Sequence, residues 1–121
     1  MDKDINFDVV VVGAGNAALC AAAAAAESHA KVLVLEKSPK NLQGGNCPYT
    51  GAGFRFTHDG IDDIKSLLPQ GTDVGDFQMS PYTAEDFRNH FMEATYGDTD
   101  KDLANIVISK SRETIDWMHS I

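Results

Sequence analysis

Gly13-Ala14-Gly15-Asn16-Ala17-Ala18 follows an apolar run and opens an alanine-rich stretch, the context in which a G-x-G-x-x-A turn cradles a pyrophosphate. Gly13 permits the tight turn, Gly15 lets the backbone come against an anion, and Ala18 keeps helix and strand close. N–H groups left free at the helix start then face that anion. Glu36 stands about 20 residues past the glycines, where a carboxylate accepts hydrogen bonds from an adenosine ribose and disfavours a 2′-phosphate. Together these residues imply a dinucleotide site. A plain turn with a solvated strand end is the bland alternative, and the joint presence of strand, helix and acid outweighs it. NAD and FAD both fit at this point, because they share the ADP half.

A second group of small residues separates the two cofactors. Glu36-Lys37-Ser38 leads into Gly44-Gly45-Asn46 and then Thr50-Gly51-Ala52-Gly53. An isoalloxazine extends well beyond the pyrophosphate, so a loop has to bring backbone close to the ribityl chain and ring, and small residues allow that approach. FAD is therefore the expected cofactor, against the alternative that these are ordinary glycines of a flexible loop.

The elements that must position these residues follow from the pattern. Phe7 to Val12 is a β-branched run ending at Gly13, which predicts a strand buried on both faces of a parallel sheet. From Gly15 to about Ser28 the alanines predict a helix slim enough to lie close against that sheet. Lys31 to Leu35 predicts a second buried strand, completing a Rossmann-like βαβ unit over residues 7–36 with a right-handed crossover. The fold class is α/β. Residues 37–57 read as a flavin loop, since Ser38, Pro39, Asn41, Gly44, Gly45, Asn46 and Pro48 exclude regular structure. Residues 59–121 read as a helical segment: a short helix from Asp59 to Leu68 stopped by Pro69, a loop from Gln70 to Pro81, and a capped helix opening at Thr83-Ala84-Glu85-Asp86. Phe87, Phe91 and Ala94 share a face of that helix, and Gly97 ends it. A last helix spans Asp100 to His119, with Leu103, Ile106, Val107, Ile115 and Met118 at near-helical spacing and Asp100 or Asp102 at its start. Two strands are too few to cover both flanks of a sheet, so residues 1–121 read as the N-terminal part of an FAD-binding domain whose substrate-handling part is missing.

Composition limits the partners. A formal charge of −8 argues against nucleic acid and anionic membranes, which need a basic face. Cys20 and Cys47 fit neither a disulfide framework nor a metal spacing, so a reducing cytoplasm is the expected compartment. The alanine run is not read as a secretory signal, because Met1-Asp2-Lys3-Asp4 is acidic. No segment reaches the roughly 20 apolar residues of a membrane span.

Asp8 to Ala18, Val32-Leu33-Val34-Leu35-Glu36-Lys37, Gly44-Gly45-Asn46, Gly51-Ala52-Gly53-Phe54-Arg55-Phe56 and the Trp117-Met118 segment resemble the flavoprotein subunits of the fumarate reductase and succinate dehydrogenase superfamily, with tricarballylate dehydrogenase-like members nearest. The likeness is strong to about residue 60 and looser after it. It implies that Gly13, Ala14, Gly15, Asn16, Ala17 and Ala18 hold the pyrophosphate and Glu36, beside Lys37, the adenosine ribose. It places Gly44, Gly45, Asn46, Thr50, Gly51 and Gly53 near the ribityl chain and ring. It also implies a flavin that takes hydride from a di- or tricarboxylate in the intact enzyme. Respiratory members attach FAD through a histidine where this sequence has Asn46, so the expected FAD is noncovalent. Two departures stand out. His29 replaces a glycine that commonly closes the first helix, and Cys47-Pro48 stands where serine or threonine is usual. No catalytic residue is assigned, since carboxylate clamps lie farther along in that family.

Other residues carry plainer expectations. His58, His90 and His119 lack partners at metal spacing and read as surface or partly packed histidines. Arg55 reads as a surface residue, Cys20 as a small packed one, and Cys47 as a loop thiol. Two further readings stay open: a free-standing ADP-binding module without redox chemistry, and an NAD-linked dehydrogenase fragment, which Gly44-Gly45-Asn46 disfavours.

Overall fold

A computed structural model of the chain describes residues 6–51 and 53–121. The acidic start at residues 1–4 and the Ala52 of the second glycine group lie outside the described residues. The chain divides into two compact units, Met1–Gly53 and Phe54–Ile121.

In the first unit, β1 (Val9–Val12), α1 (Asn16–Glu27) and β2 (Val32–Leu35) form the expected βαβ arrangement. The strands pair in parallel with Val9 opposite Val32 and Val12 opposite Leu35. At the entry to β1, the Asp8 N–H donates to the Lys31 carbonyl at 2.9 Å while the Asp8 carboxylate accepts from the Lys31 N–H at 2.8 Å. β-Branched side chains suit the pleated pair, and twelve residues of alanine-rich helix return the chain alongside it. The strands differ from expectation in burial. Val9 and Val11 are half-buried, whereas Val10 and Val12 are 53% and 82% exposed. In β1 alternation replaces two-sided burial because α1 covers one face of the pair, and side chains on a strand alternate between faces; in β2, Val32, Leu33 and Val34 are all half-buried. α1 ends with His29 at φ 61°, the left-handed position expected there, which a Cβ makes unfavourable by about 1–2 kcal/mol.

In the second unit, α2 (Ile61–Lys65) is shorter than expected, and α3 (Ala84–Ala94) and α4 (Lys101–Ser120) pack together. α3 starts with a capping box in which Thr83 accepts from the Asp86 N–H and Asp86 accepts from the Thr83 N–H, two otherwise orphaned donors satisfied at once. Asp100 caps α4 by accepting from Asp102 and Leu103. The core is Phe87 of α3 with Ala104 and Ile108 of α4, Ile108 being 1% exposed; full burial of such a side chain is worth about 1.5–3 kcal/mol. Buried Ser111 is satisfied, donating to the Ile108 carbonyl at 2.8 Å and accepting from the Thr57 N–H at 3.1 Å. The α4 face expected from the sequence needs correction. Leu103, Ile106 and Val107 are 61%, 59% and 51% exposed, while Ile115 and Met118 are half-buried, because the covered stripe of the helix runs through Ala104, Ile108 and Ser111. On α3, Ala94 likewise faces solvent while Phe91 is half-buried. Gly97, at φ 76°, follows the helix end, and its N–H closes on the Met92 carbonyl at 2.8 Å.

Candidate functional site

The turn between β1 and α1 is built by Gly13 at φ 105°, a conformation that only glycine adopts without strain. Its N–H donates to the Leu35 carbonyl at 2.6 Å, holding the end of β1 against the end of β2. Glu36, the next residue along, reaches back across that junction. One carboxylate oxygen accepts from the Ala14 N–H at 2.9 Å and the other from the Ser38 N–H at 2.8 Å. The Ser38 N–H above all, opposed by desolvation and then aided by the Ala14, Lys37 and Gly44 N–H groups, holds its pKa below the ordinary glutamate value. Glu36 is thus a fixed, ionised acceptor at the mouth of the turn.

Gly15 calls for a different explanation from Gly13. Its backbone is ordinary, at φ −76° and ψ 177°, and a Cβ there would meet only the Gly44 carbonyl at 3.7 Å, an ordinary contact. Nothing in the chain's own geometry therefore demands glycine at 15. What an added methyl would intrude on is the space over the start of α1. That helix has no side-chain cap and no acid in its first turn, so its first N–H groups have no intrahelical acceptor. An uncapped N-terminus with a bare glycine beside it fits a phosphate-bearing group.

The 44–47 loop closes over the same place. Gly44 and Gly45 have φ 103° and 60°, and a Cβ on Gly45 would lie 3.7 Å from the Gly15 Cα. A short 3-10 turn, Cys47–Tyr49, follows, with the Cys47 N–H donating to the Gly44 carbonyl at 3.1 Å. The turn brings the Cys47 sulfur to the Asn16 N–H, 3.2 Å away. Sequence reasoning flagged Cys47 as a loop thiol and for the hydroxyl it lacks; its place on the first amide of α1 depends on a loop conformation that composition does not encode. Ser38 was likewise read only as loop, although a small residue two positions after the acid is what lets the backbone turn onto the carboxylate.

Of the residues expected at the site, Gly13, Ala14, Gly15, Asn16, Glu36, Gly44 and Gly45 converge around the β1–α1 turn, and Ala18 lies behind it, 3.9 Å from where a Gly13 Cβ would stand. Ala17 sits exposed in the first turn of α1. Lys37, Asn46 and Thr50 are exposed. A Cβ on Gly51 or Gly53 would meet nothing within 4 Å among the described residues.

Comparison with known proteins agrees with this geometry. Residues 8–121 match the FAD binding domain family. Digoxin reductase of Eggerthella lenta is 32% identical over 118 residues, 98% of this chain and 19% of that protein. A fumarate reductase (cytochrome) of Shewanella frigidimarina is 32% identical over 111 residues, 92% of this chain and 17% of the relative. NADH:fumarate oxidoreductase of Klebsiella pneumoniae is 44% identical over 73 residues, covering 55% of this chain and 8% of its own. The chain thus spans about a fifth or less of the length of these relatives. No solved structure matches it. The match over residues 8–121, with likeness along nearly the whole chain to digoxin reductase and to a fumarate reductase, makes the chain a member of the FAD binding domain family within the fumarate reductase-like flavoproteins.

Proposed function

We propose that this chain is the FAD-binding portion of a flavin-dependent oxidoreductase acting on CH–CH bonds of a carboxylate, of the tricarballylate dehydrogenase-like kind. The observation that carries the reading is Gly15: a glycine that the chain's own geometry does not require, beside an uncapped helix start and a fixed carboxylate. In this reading the backbone from Gly13 to Ala18 receives the pyrophosphate and Glu36 accepts from the adenosine ribose, with Lys37 next to it. Gly44, Gly45, Asn46, Thr50, Gly51 and Gly53 border the ribityl chain and ring. Bound FAD supplies the hydride chemistry. The chain's contribution is to hold and orient the nucleotide end.

FAD is held noncovalently, because Asn46 offers no nucleophile to the flavin. Turnover is not expected from these residues alone. Among the described residues Arg112 is engaged with Asp63 and Asp116 and Arg88 with Asn105, which leaves no set of converging cations to clamp a di- or tricarboxylate.

An absorbance spectrum taken before and after desalting in the presence of FAD tests the reading. Co-elution of a structured flavin band near about 450 nm, released to the supernatant on acid precipitation, is the expected result. Flavin that stays in the acid pellet would overturn noncovalent binding. A folded sample that retains no FAD but binds ADP would instead favour a non-redox ADP module, which uses only the Gly13–Ala18 and Glu36 half of the site.

A further inference from the structure

Within the second unit, residues far apart in sequence line a cavity, open to solvent, of about 460 Å³ whose walls include Phe54, Arg55, Phe56, His58, Tyr82 and His90. That volume falls within the range of small-molecule sites. An antiparallel bridge holds the walls together: the His58 N–H donates to the Tyr82 carbonyl at 3.1 Å, and the Tyr82 N–H donates back at 2.8 Å. Four rings line it in succession. Phe56 meets His58 edge-on at 5.9 Å, His58 lies 6.0 Å from Tyr82, and Tyr82 stacks on His90 at 5.6 Å.

The polar groups of the cavity are of one kind. The His58 Nδ1 accepts from the Gly60 N–H at 3.2 Å, so a neutral ring carries its proton on Nε2 and is a donor there. The Tyr82 hydroxyl and the His90 Nδ1 are 3.0 Å apart and satisfy each other. Arg55 has neither hydrogen bond nor ion pair among the described residues, unlike Arg88 and Arg112. No carboxylate lines the cavity, although the chain carries a net charge of −8; Asp59 and Asp63 lie on the adjoining groove, on the other side of His58.

We propose that this cavity binds a planar aromatic carboxylate, its ring against the Phe54, Phe56, His58 and Tyr82 walls and its carboxylate on the Arg55 guanidinium. Aromatic faces select a flat apolar body, and an unpaired guanidinium matches a carboxylate in two parallel hydrogen bonds. An aliphatic di- or tricarboxylate would leave its further charges without cations. A ligand with a positive charge would meet Arg55.

The site lies wholly within residues 54–90 and does not depend on the flavin reading. The test is titration of the full chain with 2-naphthoate, with 2-naphthamide and fumarate as comparators, followed by the ring N–H and C–H signals of His58 and His90 and the Nε–H of Arg55. Saturable shifts with naphthoate, an affinity at least tenfold above that for the amide, and little response to fumarate are expected. Arg55→Gln, which removes a side chain without partners among the described residues, should erase the tenfold preference while circular dichroism stays unchanged. Equal binding of naphthoate and naphthamide to the unsubstituted chain, an equal response to fumarate, or unmoved histidine signals would each overturn the proposal. FAD retention measured on the same sample reports on the flavin reading separately.

Discussion

Gly13 and Gly15 are two positions apart and do unlike work. Gly13 holds φ 105°, and an alanine forced into such backbone costs about 1–3 kcal/mol. Gly15 holds ordinary backbone with room for a Cβ. Gly13→Ala is therefore expected to lower the thermal midpoint of the chain clearly. Gly15→Ala should leave the midpoint within a degree or two and weaken FAD binding by at least tenfold in a flavin-fluorescence titration. Equal retention of FAD by Gly15→Ala would remove the main support for a pyrophosphate against that turn. A similar contrast separates the arginines: Arg112 is tied to Asp63, Asp116 and Ser66, whereas Arg55 is tied to nothing among the described residues. Identity of residue type says little about role here; partners decide it.

Among the elements, the bridge between residues 58 and 82 depends on one backbone position. Gly60 stands at φ 103°, and a Cβ there would come within 2.8 Å of the Met79 carbonyl oxygen, closer than backbone can tolerate. Gly60→Ala is expected to cost more than about 1–3 kcal/mol of strain and to push the 79–81 segment away. Loss of amide protection at His58 and Tyr82 in hydrogen exchange, with β1 and β2 unaffected, would be the signature.

This position also shows why some elements were legible in the sequence and others were not. The βαβ unit, the Thr83 capping box and the Asp100 cap announce themselves locally, through β-branched runs and side chains that satisfy nearby N–H groups. The Gly13 turn with Glu36 was legible for the same reason, its parts being fixed in spacing along the chain. The buried face of α4 was not. Periodicity ranks large apolar residues, yet the buried positions of α4 are Ala104, Ile108 and Ser111, and which side of a helix is covered is settled by its neighbours. Arg55, His58 and His90 read as separate surface residues because the cavity they share exists only once the chain has folded back from Tyr82 onto His58.

For the molecule as a whole, acid is the condition that should act on both units. Glu36, Asp63 and Asp86 all have pKa values held below the usual carboxylate range: by the Ser38 N–H for Glu36, by the Asp59 N–H and then Arg112 for Asp63, and by the Thr83 hydroxyl and N–H for Asp86. A carboxylate with a lowered folded-state pKa contributes stability that is complete above its unfolded value and is lost as pH falls through the folded one. Arg112, raised by Asp116 and Asp63 against the desolvation that opposes them, stays charged throughout. The stability of the chain should thus be flat above about pH 5 and fall steadily below the ordinary carboxylate range. Urea midpoints measured from pH 6 down to pH 2.5 would show this; a midpoint that rises on acidification would contradict it. No helix among the described residues is long and apolar enough to cross a membrane.

The sulfur of Cys47 already occupies the Asn16 N–H at the start of α1. A phosphate oxygen can take that amide only by displacing it, so loading the site there is an exchange of acceptors rather than the filling of a vacancy. The affinity gained is the difference between an anionic oxygen and a thiol as partners. Cys47, the residue that departs from the usual hydroxyl, thus competes for that amide with whatever ligand arrives.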